Sequence, residues 1–169
     1  SGVRRFLHVS SVAVHGFIGA QDMDENAPQP PTPYPYCQSK REAEALVRSY
    51  QAQCAIATTI VRPGDVYGPG DRVSLLKLAP LLERGWLLEV DRGRWLGAFT
   101  YVDNLIDGMI LAASAESAIG ETYILTDGIR LSWHDYLCRI ARAVDRPPPR
   151  ASVPGRPADL LAGALETLY

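Results

Sequence analysis

Tyr36 and Lys40 stand four positions apart in the run Pro35-Tyr36-Cys37-Gln38-Ser39-Lys40, and Ser10-Ser11 closes an apolar stretch upstream. Residues four apart on a helix share a face, so the Lys40 ammonium can sit beneath the Tyr36 ring and favour its phenolate. A tyrosine tuned in this way can take or give a hydroxyl proton while hydride leaves or enters the carbon, which is alcohol-to-ketone redox chemistry. A tyrosine four residues before a lysine also arises by chance in many helices, as a surface pair with a solvated amine. The pair gains meaning only from its company.

The elements that must position these groups can be read from periodicity and punctuation. Ser11 lies 25 residues before Tyr36, where Phe6-Leu7-His8-Val9 runs straight into the two serines. Residues 4–10 read as a buried parallel strand ending in hydroxyls. Ligands of open α/β sheets collect at the carboxyl ends of strands, so a hydroxyl there can bond a substrate oxygen; the alternative is a serine that caps a turn. A loop from about Gly16 to Pro35 carries five prolines from Pro28 onward and reads as a stiff surface connection. The helix from Tyr36 to about Gln51 starts on Pro35, where a missing amide costs little. Thr58–Arg62 is a second strand, followed by a loop rich in glycine and proline from Pro63 to Asp71. Arg62-Pro63-Gly64 is either strand termination or a place where proline frees a carbonyl and glycine lets a ligand approach. Tyr67 and Asp71 read as loop structure. Further on, a helix is expected over 75–84 and a short strand over 86–90. A second helix follows Val102, with Leu105, Ile106, Met109, Ile110 and Ala113 as its stripe and Asp103 and Asn104 as N-capping groups. Residues 122–125 read as a strand and 132–144 as a helix with Trp133, Leu137, Ile140 and Ala141 inward. Residues 146–150 break the chain before an apolar helical run over 158–169 that stops without a cap.

Order, spacing and wording of these pieces resemble the extended short-chain dehydrogenase/reductase family, which includes NAD-dependent epimerases, dehydratases and 3β-hydroxysteroid dehydrogenases. The likeness continues through Phe99-Thr100-Tyr101-Val102-Asp103-Asn104 and Gly120-Glu121-Thr122-Tyr123-Ile124-Leu125-Thr126-Asp127-Gly128 and covers nearly the whole chain. It implies an α/β fold: part of a Rossmann-type doubly wound parallel sheet plus a small α/β substrate-binding region. Residues 1–73 would carry the Ser/Tyr/Lys site, and 74–169 would be mainly substrate-binding with interleaved Rossmann-type elements. By resemblance, Ser11 orients and polarises the reacting oxygen, Tyr36 is the acid/base, and Lys40 tunes Tyr36 and holds the nicotinamide ribose of NAD or NADP. Ser10, Arg62, Pro63 and Gly64 would line the cofactor, and Val12, Asp65, Val66 and Trp95 the substrate.

The family's glycine-rich pyrophosphate turn does not occur in this sequence, since Gly16 and Gly19 follow the serines and open no amphipathic helix. The chain therefore reads as the C-terminal part of a longer protein, cut at both ends, that alone neither turns over substrate nor binds NAD or NADP tightly. Its 169 residues, 47% hydrophobic, suffice for a core, although a sheet short of strands leaves an edge and a face open. The net charge of −2, from 17 basic and 19 acidic residues without a basic block, argues against nucleic acid as a partner. No signal peptide or bilayer-length apolar run is present. Three cysteines, Cys37, Cys54 and Cys138, lack metal-ligand spacing and suggest free thiols in a reducing, cytoplasmic compartment, and His8, His15 and His134 are too scattered for a metal. Cys37 beside Tyr36 needs no role, because neighbours on a helix face different ways. The expected partners are a small-molecule substrate and a second copy of the parent.

Three functions remain open: a dehydrogenase of the 3β-hydroxysteroid type, a nucleotide-sugar epimerase or dehydratase, and a non-catalytic NAD(P)-binding module. The intact Ser11, Tyr36 and Lys40 argue against the last. Asp65 stands where nucleotide-sugar members of the family commonly carry asparagine, and Gly97-Ala98 where they place an Arg-Asp pair that clamps phosphate. A carboxylate facing a diphosphate repels it, which favours a hydrophobic or alicyclic alcohol, with Trp86 and Trp95 suited to an apolar wall.

Overall fold

The computed structural model describes residues 2–16, 22–53, 56–72 and 75–155. In chain order the elements are β1 (Arg5–Val9), α1 (Pro35–Ala52), β2 (Ala57–Pro63), β3 (Asp65–Tyr67), α2 (Leu75–Glu83), β4 (Leu88–Val90), β5 (Leu96–Gly97), β6 (Phe99–Tyr101), α3 (Val102–Ser114), β7 (Thr122–Leu125), β8 (Leu131–Ser132), α4 (Trp133–Ala143) and β9 (Ala151–Val153), with short 3-10 turns between. They gather into two compact units, one built from residues up to Pro69 and 98–129, the other from 70–97 and the chain from Arg130 on. The expected helix over 158–169 lies outside the described residues.

The first unit holds a parallel sheet of order β1-β2-β7. Arg5 to Val9 pair with Ala57 to Val61, and Ile60 to Pro63 with Thr122 to Leu125. Parallel neighbours need long crossovers, and α1 and α3 supply them. The central strand β2 is buried from Thr58 to Pro63, although only Ile60 and Val61 are aliphatic there. Its polar groups are satisfied inside: Thr59 donates to the Ala118 carbonyl at 2.7 Å, and Thr58 N–H and Oγ1 both meet Gln51 Oε1.

Helix α1 starts with Pro35 in its first turn and turns Cys37, Glu44 and Val47 inward. That spacing is the inward stripe of an amphipathic helix, interrupted by one acid. The acid is matched. Arg62, the one cation of β2, is 1% exposed and forks onto Glu44 at 2.9 and 2.7 Å. Its remaining nitrogen meets His15 Nε2 at 3.2 Å and donates to the Glu25 carbonyl at 2.8 Å. A guanidinium can only donate, so His15 Nε2 is the acceptor and the ring proton is assigned to Nδ1, which faces the Pro28 carbonyl at 3.3 Å. Glu25 in turn accepts from the Ile124 amide at 2.8 Å. The described part of the proline-rich connection is thus fastened to the sheet from below.

Helix α3 departs from expectation in two ways. Its inward groups are Leu105 and Ala112, with Ile106 and Ile110 exposed. The rotation follows from Gly108, which lies so close to β7 that a Cβ there would stand 3.2 Å from a Leu125 methyl. Asp103 and Asn104 do not cap it either, because the N-cap position is Tyr101 and no side chain of its own turn bonds it. Asp127, beyond β7, does this work: its carboxylate accepts from the Tyr101 amide, from Asn104 Nδ2 at 2.9 Å and from Tyr67 Oη at 3.1 Å. At the other end, Arg5 donates to the carbonyls of Ala113 and Ala115, satisfying acceptors that a helix leaves open.

The pair β3–β6 is parallel and begins at Asp65, one residue after Gly64. A Cβ on Gly64 would fall 1.8 Å from the Ala98 carbonyl oxygen, so glycine is what allows these strands to meet.

The second unit contains two small ladders, parallel β4–β9 and antiparallel β5–β8, together with α2 and α4. Ser132 caps α4 by accepting from the Asp135 amide at 3.0 Å, and Tyr136, Leu137, Ile140 and Ala141 are buried along it. The prolines over 147–149 lead into β9, an element that residues 146–150 gave no reason to expect.

Candidate active site

Strand β1 brings the expected groups to one place, its carboxyl end. The Lys40 ammonium donates to the Val9 carbonyl at 3.2 Å and lies 5.8 Å from the centre of the Tyr36 ring. Tyr36 is 54% exposed, while Cys37, the next residue, is fully buried. The chain after Val9 continues through Ser10 into a 3-10 turn, Val12–His15, whose N-cap is Ser11. Ser11 Oγ accepts from the Ala13 amide at 3.1 Å, which is the turn-capping role that a strand-end serine takes. A hydroxyl both accepts and donates, so capping leaves the Ser11 proton available to another oxygen. Arg41, next to Lys40, donates to the Val14 carbonyl at 2.7 Å and pins the turn to α1.

The neighbouring strand end completes the floor. The Ser10 amide donates to the Val61 carbonyl at 2.8 Å, so Arg62, Pro63 and Gly64 run on beside the serines. Two of the side chains expected along a cofactor point elsewhere. Ser10 is 4% exposed with its hydroxyl beside Glu44, and Arg62 is spent on Glu44, His15 and Glu25. Only the main chain of these two residues is left to meet a ligand. Gly64 is occupied by its approach to Ala98, and its amide donates to the Leu125 carbonyl at 3.1 Å.

Val12 is half-buried in the turn, and Asp65 and Val66 are exposed on β3. The Asp65 carboxylate accepts from the Ala98 amide at 3.3 Å. Although the residue reaches solvent, crowding of its carboxyl against the strand pair raises its pKa above the ordinary aspartate value, and the Ala98 N–H opposes that shift. Trp95 belongs to the second unit, where the Arg94 guanidinium stacks 4.8 Å from its ring centre.

The electrostatics beneath the site are set by α1 and β1. Burial would push the Glu44 carboxyl up, but the hydrogen bonds from Arg62, the nearby Ser10 hydroxyl and the charges of Arg62 and Arg48 outweigh it and hold Glu44 below the usual range. His8 on β1 is shifted down from 6.5, first by burial and then by the Lys40 charge, with Glu44 opposing. Its Nε2 is buried without a hydrogen-bond partner, as suits a ring kept neutral next to an ammonium. Two residues escaped the sequence reading. Asp127 announces itself only as an Asp-Gly turn, whereas Glu44 was detectable as an acid on the apolar face of a helix with one arginine in the strand it covers. Among the described residues no His, Cys, Asp and Glu cluster could hold a metal, and no helix is long and apolar enough to cross a membrane.

The chain is similar to known proteins. The chain is 25% identical to the 3beta-hydroxysteroid-dehydrogenase/decarboxylase isoform 1 of Arabidopsis thaliana, over 99% of its own length and 41% of that protein. It is 28% identical to the UDP-glucose 4-epimerase of Vibrio cholerae, over 91% of its length and 48% of the epimerase. The solved structure of MoeE5 with UDP-glucose and NAD superposes with a TM-score of 0.74 at 26% identity, over 92% of this chain and 53% of MoeE5. The chain thus spans about half the length of the relatives it matches. Residues 1–125, which carry β1, α1 and both strand ends of the site, match the model of one family throughout, and the chain belongs to it: the NAD dependent epimerase/dehydratase family.

Proposed function

We propose that this chain supplies the acid/base half of an NAD(P)-dependent oxidoreductase that interconverts a secondary alcohol and a ketone on a hydrophobic or alicyclic substrate. The observation that carries this is the Lys40 ammonium, held on the Val9 carbonyl at 3.2 Å and beside the ring of an exposed Tyr36. One of three ammonium donors is used on Val9, so Lys40 has donors left for the ribose hydroxyls of a nicotinamide nucleotide, and the residues fit that group. Such a cofactor, when bound, supplies or accepts the hydride. Tyr36 Oη then gives its proton to the substrate oxygen in reduction and takes it in oxidation, with Lys40 supporting the phenolate. Ser11 donates its free proton to the same oxygen and fixes its direction. The main chain of Ser10 and of Arg62-Pro63-Gly64 borders the cofactor. Residues 1–73 hold this machinery, and 74–169 serve chiefly to bind substrate, with Rossmann-type elements interleaved; the gathering of 70–97 with the chain from Arg130 on, and of 98–129 with the first unit, supports that division.

The substrate class rests on Asp65 and on Gly97-Ala98. A carboxylate on β3 and the lack of an arginine before β6 both disfavour a diphosphate. The likeness to the UDP-glucose 4-epimerase favours a second reading, in which the same tyrosine and serine oxidise a sugar hydroxyl transiently and the cofactor is regenerated. The two separate when the full-length protein is offered hydrophobic cyclic alcohols and UDP- or GDP-sugars with each nicotinamide cofactor. Turnover of the cyclic alcohols is expected; efficient turnover of nucleotide sugars alone overturns the assignment of substrate while leaving the Tyr36 chemistry in place.

A further inference from the structure

The second unit holds a cluster of reactive side chains that the proposed redox chemistry does not use. Glu89 is the middle residue of β4, and His134 and Cys138 lie one turn apart on α4. His134 Nδ1 is 2.7 Å from Glu89 Oε1, and His134 Nε2 is 3.4 Å from Cys138 Sγ. An ionised carboxylate can only accept, so the ring proton is assigned to Nδ1 and the Nε2 lone pair faces the thiol. Glu89 is 6% exposed, whereas His134 and Cys138 are both partly open to solvent. The orienting acid is inside and the base and nucleophile are reachable. His134 is also seated from behind: Gly93 has a φ of +59°, and a Cβ on it would stand 2.7 Å from the His134 amide nitrogen. A nucleophile within reach of a base that a third group orients is the arrangement that activates a thiol.

We propose that Cys138 is a modification site, a base-assisted thiol that exchanges with low-molecular-weight disulfides. His134 Nε2 takes the Sγ proton as the Cys138 sulfur attacks one sulfur of the disulfide. The old S–S bond breaks as the new one to Cys138 forms, and the departing thiolate takes the proton back from His134. Cys138 is oxidised and the released half of the disulfide is reduced, so no other oxidant is needed. Glu89 stabilises the imidazolium between the two transfers. Burial, together with the charges of Glu89 and Asp135, pushes the Cys138 thiol up, with Arg142 opposing. The sulfur therefore starts protonated, and its reactivity depends on the base and not on a standing thiolate.

Oxidised glutathione is the probe. Cleavage after Arg130 and Arg139 yields a peptide, 131–139, in which Cys138 is the sole cysteine, so its mass reports this site alone. Folded protein is expected to gain the glutathionyl group on Cys138 at least about tenfold faster than the same chain unfolded in urea at equal pH, and His134→Gln to lose at least about tenfold in rate. Glu89→Gln, which removes the charge and keeps the shape, is expected to slow the reaction by a smaller factor. A folded chain that reacts more slowly than the unfolded one overturns the proposal, because burial alone would do that. So does a folded His134→Gln variant that reacts at the rate of the unchanged protein. Should His134→Gln not fold, the folded-to-unfolded ratio of the unchanged chain decides by itself.

Discussion

The middle of α1 and its first turns treat polar groups in opposite ways. In the middle, Glu44 is saturated: Arg62 forks onto it, and the arginine's other nitrogen is spent on His15 and on the Glu25 carbonyl. One turn earlier Lys40 rests on one carbonyl with donors to spare, and Tyr36, one turn before that, is exposed. Both stretches are charged, yet only the second has unused bonding capacity at the carboxyl end of a strand. Saturation marks the groups that hold the fold, and spare capacity marks the groups that do chemistry.

Four experiments can break or sharpen that contrast. Tyr36→Phe in the full-length enzyme should abolish hydride transfer, on the scale of about 10²–10⁴-fold, and leave cofactor binding and thermal stability near those of the unchanged protein. Ordinary turnover by that variant would remove the tyrosine from the mechanism. Glu44→Ala should do the reverse, costing about 3–5 kcal/mol in denaturant unfolding because Arg62 is left charged and unmatched in the interior. If its unfolding midpoint does not move, the inward network is not what holds α1. Ser11→Ala combines the two kinds of role, since the hydroxyl caps a turn and keeps a proton to donate. Its turnover should fall by roughly 10²-fold, with about 1 kcal/mol lost from the cap; loss of stability with full turnover would make Ser11 purely structural. The smallest effect concerns His8. Its pKa in the folded chain lies below 6.5, so the stability it contributes is complete above that pH and is lost as the pH falls toward the folded value, over which range the unfolded chain takes up a proton that the folded one refuses. Unfolding midpoints measured on the acid side of neutrality should drop, and His8→Gln should flatten part of that slope. Lys40→Met should flatten it less, because burial and not the ammonium is the leading cause of the shift. A slope unchanged in His8→Gln would assign the acid sensitivity elsewhere.

What the sequence made legible was set by periodicity. α1 and α4 carry helical stripes, and β1 and β2 carry apolar or β-branched runs, over enough residues to be read, although none of the five residues of β1 is buried as the run suggested; Ser11, Tyr36 and Lys40 lie at the ends of β1 and α1. The strands of two or three residues carry no such pattern: β3 and β6 meet only because Gly64 admits Ala98, and β4 finds β9 about sixty residues away. Helix α3 was legible as a helix but not in its orientation, since Leu105, Ile106 and Ile110 look alike in sequence and only the closeness of Gly108 to Leu125 picks the inward side. At the site, the types and spacing of Ser11, Tyr36 and Lys40 were readable, whereas the commitment of Ser10 and Arg62 to the interior was not. That commitment depends on Glu44, which enters from another element.

The geometry of α1 also bears on how such a protein can change over generations. The anchoring positions 37, 44 and 47 and the reactive positions 36 and 40 share a helix but have no hydrogen-bond partner in common among those described. Lys40 and Glu44 nonetheless stand one turn apart and both act on His8, so substitutions at these two should be coupled, whereas those at the exposed positions should combine almost independently with the anchors. A library restricted to the exposed positions of 34–50 other than Tyr36 should therefore return mostly folded proteins.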